Sequence, residues 1–342
     1  MWALHLTESR TLAPVELPEP TPPGPGEVQV AIGAIALNHI DVWGWRGMAF
    51  AKRTLPIVVG AEAAGTVVAV GVGVGGGLAP GRVVALYGAD TCGVCGPCRA
   101  GRDNFCENVG GLRGFNIDGF ARERVNIAAR LAVRAPDGVC VDAAACAPIT
   151  YGTVEHMLFD NAKLASGQTI LVQAGGSGIG TAAIQLAKAV GATVIATVGS
   201  DAKAAKARDL GADHVVNYRE ERFEAVVRRL TGKEGVDVVF EHVGADTFAQ
   251  SMFSLKRGGV LVTCGSTTGV SAEINLYMLF QRQLRLIGSF GCTLRNLRGA
   301  LDKMAAGIAR PVVDSTVGLA NIDHALARLE SRDVFGKILI TP

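Results

Sequence analysis

Hydrophobic positions follow two different periods along this chain, and the first is the two-residue period of a β-strand. In residues 1–37 apolar and polar side chains alternate, most clearly at Val28–Ile32. Residues 57–70 then place glycines and a single acid, Glu62, among β-branched residues. The alternation predicts an antiparallel β region in the N-terminal part of the chain. Between its strands, Ala36–Trp43 passes from apolar into polar and aromatic residues, which predicts a loop.

A helix-like run at Asp142–Phe159 comes next. After it, short apolar strands alternate with amphipathic helices, whose apolar positions have the helical period. The strands are nearly continuous runs of apolar residues, as expected where both faces of a parallel sheet are covered. The predicted strands are 169–172, 193–198, 214–216, 236–240, 259–263 and 284–289. Six strands joined by helical crossovers predict an α/β fold with a doubly wound parallel sheet.

The last fifty residues do not continue this alternation. They contain two helical patterns, Leu294–Ala306 and Ile322–Ser331, and a final strand, Gly336–Ile340. We expect them to return to the first domain. The predicted organisation is therefore a β-rich domain over 1–149, a doubly wound domain over 150–288, and a returning segment over 289–342.

A glycine-rich turn follows the first strand of the doubly wound domain. The sequence TILVQAGGSGIG at Thr169–Gly180 passes from a β-branched strand through Gly175, Gly178 and Gly180 into a helix. Glycine lets the backbone approach a pyrophosphate, which the N–H groups and the positive end of a helix then hold. A plain strand-to-helix turn would show the same glycines, but the flanking strand and helix favour dinucleotide binding.

Composition and charge exclude several classes of partner. The 342 residues carry 33 basic and 31 acidic side chains, a formal net charge of +2, so the balance gives no reason to expect nucleic acid or an anionic membrane surface as a partner. No apolar run has the length of a membrane span, and the N-terminus turns polar too soon for a secretory signal. We therefore expect a cytoplasmic protein with a small-molecule substrate.

Four of the eight cysteines form the strongest local motif of the sequence. Their spacing is C-x-x-C-x-x-C-x₇-C, and the intervening glycines and proline permit tight turns. Four thiolates at such spacing converge on a tetrahedral ion and leave no open coordination position. We predict one structural zinc in a lobe at about 90–110; an iron–sulfur cluster is the weaker alternative. The ligands are Cys92, Cys95, Cys98 and Cys106.

The end of the second strand of the sheet indicates which dinucleotide is bound. An acid there would bind the ribose 2′-hydroxyl of NAD, but the sequence has Gly199 and Ser200. They leave room for a 2′-phosphate, and Lys203 follows within reach to neutralise it. Asp201 remains either a helix cap or a late ribose ligand. We predict NADPH as the cofactor, with Tyr218 placed to flank the same phosphate.

Together these features resemble the medium-chain dehydrogenase/reductase superfamily, which contains zinc alcohol dehydrogenases, quinone oxidoreductases and enoyl-thioester reductases. The resemblance covers essentially the whole chain. It rests on PIVVGAEAAG at 56–65, the four-cysteine lobe, AGGSGIGTAAIQLAKAVGA at 174–192, LGADHVVNY at 210–218 and the terminal FGKILI. It implies a GroES-like β domain combined with a Rossmann domain, and homodimers or homotetramers. In quinone-reductase relatives a lysine and a tyrosine matching Lys203 and Tyr218 bind the region of the 2′-phosphate.

Two departures from the family pattern bear on the reaction. Zinc alcohol dehydrogenases have a cysteine where this sequence has Asn38 and a histidine where it has Ala61. A third ligand should fall near Ile149, where Cys146 is the nearby thiol. Without a Lewis acid there is little to polarise an alcohol or ketone oxygen. We therefore expect no catalytic zinc, and we expect Glu62 to brace its domain.

A narrower resemblance appears in the second half of the chain. The segments VFEHVG at 239–244 and VTCGSTTG at 262–269 are similar to crotonyl-CoA carboxylase/reductases and acryloyl-CoA reductases. In those enzymes the histidine matching His242 lies near the nicotinamide. The carboxylating members use a glutamate to assist CO₂ binding, and the matching position in this sequence falls near Asn116. The absence of that glutamate favours simple reduction over carboxylation.

The reaction implied is hydride transfer to the β-carbon of a short α,β-unsaturated acyl-CoA. Candidates for contact with the thioester oxygen are Asn38 and His242, and Tyr151 is a candidate proton source. The predicted cofactor-binding residues are Gly175, Ser177, Gly178, Ile179, Gly199, Ser200, Lys203, Tyr218, Val243, Gly265, Phe290 and Lys337. The alternatives are a quinone or enone oxidoreductase, a zinc-type alcohol dehydrogenase and a non-catalytic NADPH-binding protein.

Overall fold

The structure is a computed structural model that describes residues 1–48 and 53–342. The described residues form two structural units. Unit 1 comprises Met1–Gly152, Cys292–Gly307 and Pro311–Pro342, and unit 2 comprises Thr153–Gly291 and Ile308–Arg310. The predicted limits of the two domains and of the returning segment, 1–149, 150–288 and 289–342, remain a prediction.

The N-terminal part of unit 1 is rich in β-strands. Its elements are β1 (Trp2–Glu8), β2 (Thr11–Glu16), β3 (Glu27–Ala36), α1 (His39–Trp45), β4 (Ile57–Val58), β5 (Ala63–Val70), β6 (Val83–Leu86), α2 (Gly96–Arg99), β7 (Arg124–Ala128), β8 (Ala132–Arg134) and α3 (Val141–Ala145). A π-helical segment at Ala147–Tyr151 and α4 (Gly152–Glu155) follow.

Unit 2 alternates strands and helices. A second π-helical segment lies at His156–Asn161, and the later elements are β9 (Thr169–Val172), α5 (Gly178–Ala189), β10 (Thr193–Val198), α6 (Asp201–Asp209), β11 (His214–Asn217), α7 (Phe223–Leu230), β12 (Val236–Glu241), α8 (Phe248–Ser254), β13 (Leu255–Thr263), α9 (Leu276–Gln281) and β14 (Arg285–Gly288). The chain then adds α10 (Leu294–Ala305), β15 (Val313–Gly318), α11 (Ile322–Glu330) and β16 (Lys337–Thr341) to unit 1.

The larger sheet of unit 1 is ordered β15-β16-β3-β5-β6-β8, with β7 also paired to β3. Its inner positions include the apolar members of the alternating pattern: Val28, Val30 and Ile32 of β3 are buried. The last strand, β16, pairs antiparallel with β3 through Leu339 and Ala36. This pairing brings the two ends of unit 1 together and sets Lys337 beside the residues that follow β3.

The sheet of unit 2 has six strands within the fully described residues 153–291, ordered β11-β10-β9-β12-β13-β14, and every pair in it is parallel. This is the order of a doubly wound nucleotide-binding sheet, with the topological switch between β9 and β12. Apolar residues from neighbouring strands, including Leu171, Ile195 and Val239, form its core with helix residues such as Val227 and Met252. The predicted parallel sheet is therefore confirmed.

One local prediction is wrong. The predicted loop at Ala36–Trp43 contains α1, which begins after Asn38 because the carboxylate of Asp41 in its first turn accepts the backbone N–H of Asn38 at 2.8 Å. The helix-like run predicted over Asp142–Phe159 is helical, in alternating α-helical and π-helical pieces. In the first π-helical piece, Glu62 accepts the backbone N–H groups of Ile149 and Thr150, at 2.6 and 2.7 Å.

Within the described residues, every helix is too short or too polar to traverse a bilayer.

Candidate active site and metal centre

The four predicted zinc ligands converge in unit 1. The Sγ atoms of Cys92, Cys95, Cys98 and Cys106 all lie within 4.8 Å of one another. Backbone N–H groups of Val94 and Cys95 point at Cys92 Sγ, and they lower the pKa of that thiol to about 6. A tetrahedral zinc needs four thiolates at about 2.3 Å, which such a cluster can supply. The donor set therefore fits a structural zinc.

In unit 2 the glycine-rich turn has the geometry of a phosphate loop. Ser177 is the N-cap of α5, and its Oγ accepts the N–H of Gly180 at 3.0 Å. The helix thus begins at Gly178, within the glycine-rich turn. A Cβ on Gly180 would lie 2.3 Å from the carbonyl oxygen of Ala174, so the turn needs glycine there. The N-terminus of this twelve-residue helix, which follows a turn of glycines, has the form of a pyrophosphate-binding site.

The predicted 2′-phosphate residues lie together at the ends of β10 and β11. Ser200 caps α6, with its Oγ accepting the N–H of Lys203 at 3.3 Å. A Cβ on Gly199 would lie 2.5 Å from Tyr218 Oη, so the tyrosine is packed directly over this glycine. The carboxylate of Asp201 accepts an N–H of Asn217 at 3.1 Å. The four predicted residues therefore share one corner of unit 2.

At the carboxyl end of β12, His242 is buried beside the phosphate loop. Its Nε2 lies 2.9 Å from the carbonyl oxygen of Gln173, so this nitrogen carries a hydrogen and donates it. Burial lowers the pKa of His242, which keeps the ring neutral at physiological pH. A Cβ on Gly265 would lie 2.9 Å from the carbonyl oxygen of His242, so these predicted cofactor residues also adjoin. Phe290, in contrast, is exposed.

The preceding residue, Glu241, was not predicted as a site residue. Its side chain is fully buried and accepts hydrogen bonds from Thr247 and Ser251 hydroxyls and from the N–H groups of Val243 and Gly244. The resemblance pointed to His242 as the site residue and not to its neighbour Glu241. The available signal was an acid at the end of a buried strand, which must be paired by donors from nearby loops.

A buried ionic cluster in unit 1 joins Asn38, Glu62, Thr150 and Lys337. The ammonium group of Lys337 donates to Leu37 O at 2.6 Å, Asn38 Oδ1 at 2.7 Å and Glu62 Oε2 at 3.1 Å. These three bonds use all three of its hydrogens. Asn38 in turn donates to Ala36 O at 2.9 Å and to Glu62 Oε2 at 2.8 Å. Both residues were predicted for substrate or cofactor contact, and here their donors are held by protein acceptors.

Unit 1 also contains three other residues that the sequence singled out: Tyr151, Cys146 and Asn116. Tyr151 is 1% exposed in the first π-helical segment, directly after Thr150. Cys146, the thiol nearest the expected third-ligand position, donates to Asp142 O, and burial raises its pKa strongly. Asn116 accepts the N–H of Leu112 at 2.6 Å. Asn38 and Tyr151 thus belong to unit 1 and His242 to unit 2.

The chain matches two family models: an alcohol dehydrogenase GroES-like domain over 24–137 and a zinc-binding dehydrogenase domain over 178–306. It is 33% identical to an acryloyl-coenzyme A reductase of Metallosphaera sedula over 93% of each chain. It is 32% identical to a quinone oxidoreductase of Salmonella typhimurium, covering 94% of this chain and 93% of that one.

Among solved structures, the chain is similar to an NAD-dependent alcohol dehydrogenase. The TM-score is 0.94 at 37% identity, and the similarity covers all of both chains. These matches confirm the predicted combination of a GroES-like β domain with a parallel six-stranded sheet. The names of the matched proteins span acyl-CoA, quinone and alcohol substrates.

Proposed function

The chain belongs to the medium-chain dehydrogenase/reductase superfamily and is an NAD(P)-dependent oxidoreductase; we propose that it reduces the C=C bond of short α,β-unsaturated acyl-CoA thioesters with NADPH. This proposal rests on the side chains that occupy the positions where zinc alcohol dehydrogenases hold their catalytic metal. Asn38 and Ala61 stand where zinc alcohol dehydrogenases have ligands, and Lys337 donates to Asn38 and Glu62. An activated double bond needs no metal to accept hydride.

The proposed cofactor site rests on residues of unit 2. The start of α5, with its cap at Ser177 and the tight turn at Gly180, would hold the pyrophosphate. Ser200, Lys203 and Tyr218 would contact the 2′-phosphate. Bound NADPH supplies a hydride. These residues bind and orient the nucleotide, and the selectivity for NADPH comes from the missing acid at the end of β10.

Negative charge grows on the thioester oxygen as the β-carbon is reduced, and a proton then reaches the α-carbon. Hydrogen-bond donors aimed at that oxygen lower the barrier. We propose Asn38 and His242 for this contact and Tyr151 for proton delivery. An Asn38 hydrogen reaches a substrate only when its bond to Ala36 O or Glu62 is given up, and His242 similarly leaves Gln173 O.

The second candidate is a quinone or enone oxidoreductase, favoured by the 32% identity to the Salmonella typhimurium enzyme. A zinc-type alcohol dehydrogenase is the third, favoured by the similarity to the solved alcohol dehydrogenase. NADPH oxidation by the purified protein separates them. We expect turnover with acryloyl-CoA and crotonyl-CoA, unchanged by bicarbonate. Turnover with quinones but neither thioester would overturn the proposal in favour of the second candidate.

We further propose that the protein is a homodimer or homotetramer in the cytoplasm. Leu276, Tyr277 and Phe280 of α9 are 68%, 67% and 67% exposed, and Tyr277 packs edge-on against Phe280. Large apolar side chains clustered on a surface are typical of a protein interface. Light scattering coupled to size exclusion should give a mass at least twice 35.5 kDa; a monomer would contradict this assembly.

A further inference from the structure

We propose that Glu241 is a positioning residue for the dinucleotide site, acting through a one-directional chain of buried hydrogen bonds that ends at the phosphate loop. This inference rests on the proposed NADPH binding. The chain of bonds, called here the Glu241 relay, comprises Glu241, Ser251, Gln173 and Thr197. All four side chains belong to unit 2 and lie at the carboxyl ends of its central strands or on α8.

Glu241 is the acceptor at one end of the relay. Its side chain is fully buried, and its Oε1 accepts the N–H groups of Val243 at 2.7 Å and Gly244 at 3.2 Å. Its Oε2 accepts hydroxyl groups of Thr247 at 3.0 Å and Ser251 at 2.7 Å. A carboxylate offers about four lone-pair sites, so these donors satisfy it. The loop Val243–Gly244 is thereby tied to the strand that precedes it.

From Ser251 the relay runs to the phosphate loop. Ser251 Oγ accepts from Gln173 Nε2 at 2.9 Å, and Gln173 Oε1 accepts from the Thr197 hydroxyl at 2.7 Å. Thr197 Oγ1 accepts the N–H of Ala174 at 3.0 Å. Every donor therefore points the same way, from Ala174 toward the carboxylate. Because each hydroxyl has its single hydrogen committed, the charge of Glu241 fixes the orientation of every group in the relay.

The two ends of the relay are the backbones of two loops at the topological switch of the sheet. Gln173 follows β9 and Glu241 ends β12, and these neighbouring strands border the position where a doubly wound fold binds its ligand. Ala174 has φ +45°, a left-handed conformation that alanine resists, so the loop needs outside support to hold this shape. The Glu241 relay provides this support, and it links the phosphate loop to the loop after His242.

Replacing the carboxylate by an amide breaks the direction of the relay. In Glu241→Gln, an NH₂ group at the Oε2 position would donate to Ser251, which already accepts from Gln173. The hydroxyl hydrogen of Ser251 would then lose its acceptor, and a buried unsatisfied group is costly. We expect about tenfold weaker NADPH binding, equivalent to one such group.

The test is a double-variant comparison of NADPH dissociation constants, measured by fluorescence titration without acyl-CoA. Thr197→Val removes the far end of the relay, and Glu241 and Thr197 are joined through Gln173 and Ser251. We expect each single variant to weaken binding about tenfold and the double variant to weaken it little more than either one. Multiplication to about a hundredfold, or unchanged binding in Glu241→Gln, would overturn the inference.

Thr231→Val is the matched control. The Thr231 hydroxyl also donates one hydrogen bond, to Val227 O, and accepts another, from Gly235 N, but it lies at the opposite end of β12. Thr231→Val should lose as much stability as Thr197→Val but bind NADPH as tightly as the unchanged protein does. If Thr231→Val weakened NADPH binding as much as Thr197→Val does, the effect would be merely structural. Should Glu241→Gln not fold, Ser251→Ala interrupts the same relay. If the unchanged protein fails to bind NADPH, the proposed function fails with the inference.

Discussion

Lys337 Nζ lies 3.1 Å from Glu62 Oε2 in unit 1, although 275 positions separate the two residues in the sequence. The two side chains are 3% and 0% exposed. A buried ion pair gains little over an apolar pair, but removing one partner leaves an uncompensated charge in the interior. We therefore expect Lys337→Met and Glu62→Gln each to lower the free energy of unfolding by about 3–5 kcal/mol.

The double variant separates pairing from general damage to unit 1. Because neither charge remains in it, Lys337→Met/Glu62→Gln should lose clearly less stability than the two single losses added together. Urea unfolding of all four proteins, followed by circular dichroism, gives the interaction energy. Losses that simply add would mean that the two groups do not stabilise one another.

This ion pair also marks what sequence patterns can and cannot predict. The six parallel strands and the four-cysteine motif are local signals, since the period of hydrophobic residues or the spacing of ligands is enough to reveal them. The partners of Glu62 come from separate segments that meet only through the pairing of β16 with β3. Helix α1 was missed because its stability comes from the Asp41 cap and from burial, not from a helical hydrophobic period. Glu241 was passed over because its partners are backbone groups and hydroxyls, which carry no sequence motif.

Asp41 should make stability depend on pH between about 4 and 6. Burial raises its pKa from 3.8 to about 6, against the hydrogen bonds from Asn38 and Ala61. The folded protein thus retains a proton that the unfolded chain releases, so this stabilising contribution is complete below about pH 4 and is lost as the pH rises through 6. Relative to the unchanged protein, Asp41→Asn should become more stable by up to about 3 kcal/mol as the pH rises through this window. This gain adds to a pH-independent loss, because an amide oxygen accepts only one of the N–H groups of Asn38 and Ala61.

Urea unfolding at several pH values between 4 and 7 measures this difference. Asp213→Asn is the contrasting control, because hydrogen bonds from Lys188 and Val194 outweigh burial and lower the pKa of Asp213. Asp213 contributes stability above its unfolded pKa that is lost as the pH falls, so its variant should lose stability most at neutral pH. A difference between Asp41→Asn and the unchanged protein that stays constant from pH 4 to pH 7 would contradict the shifted pKa.

The four-cysteine cluster should bind one zinc per subunit. Cys98→Ser replaces one of four convergent thiolates, so we expect zinc to be lost and the thermal midpoint to fall by about 5–10 °C. Cys140→Ser is the control, since this exposed thiol lies outside the cluster. Elemental analysis of both variants measures the metal. Two zinc ions per subunit in the unchanged protein would contradict the argument from Asn38 and Ala61 and favour an alcohol dehydrogenase.

The left-handed backbone of Ala174 should be relieved by glycine. A non-glycine residue in this region costs about 1 kcal/mol, so Ala174→Gly should raise the free energy of unfolding by about 0.5–1 kcal/mol. Ala182→Gly makes the same substitution inside α5 and should instead lower it by about 1 kcal/mol. Thermal unfolding of the two variants compares the signs. A loss in both would mean that the φ +45° conformation of Ala174 carries no strain.

Cofactor choice should depend on the charge at position 200. Ser200 caps α6, and aspartate and asparagine are equally good N-caps, so neither replacement should disturb the helix. In Ser200→Asp the new carboxylate can accept the ribose 2′-hydroxyl of NADH and repels a 2′-phosphate. Ser200→Asn has the same shape without the charge, so it isolates the electrostatic contribution.

We expect Ser200→Asp to raise the ratio of kcat/KM for NADH over NADPH by about a hundredfold, equivalent to roughly 2.7 kcal/mol of discrimination. Ser200→Asn should change it by less than about fivefold. Steady-state kinetics with each cofactor and acryloyl-CoA measure the ratio. If both variants shift it equally, shape rather than charge sets the preference. If neither shifts it, the nucleotide phosphate does not lie beside Ser200, and the assignment of Lys203 and Tyr218 to the same phosphate fails with it.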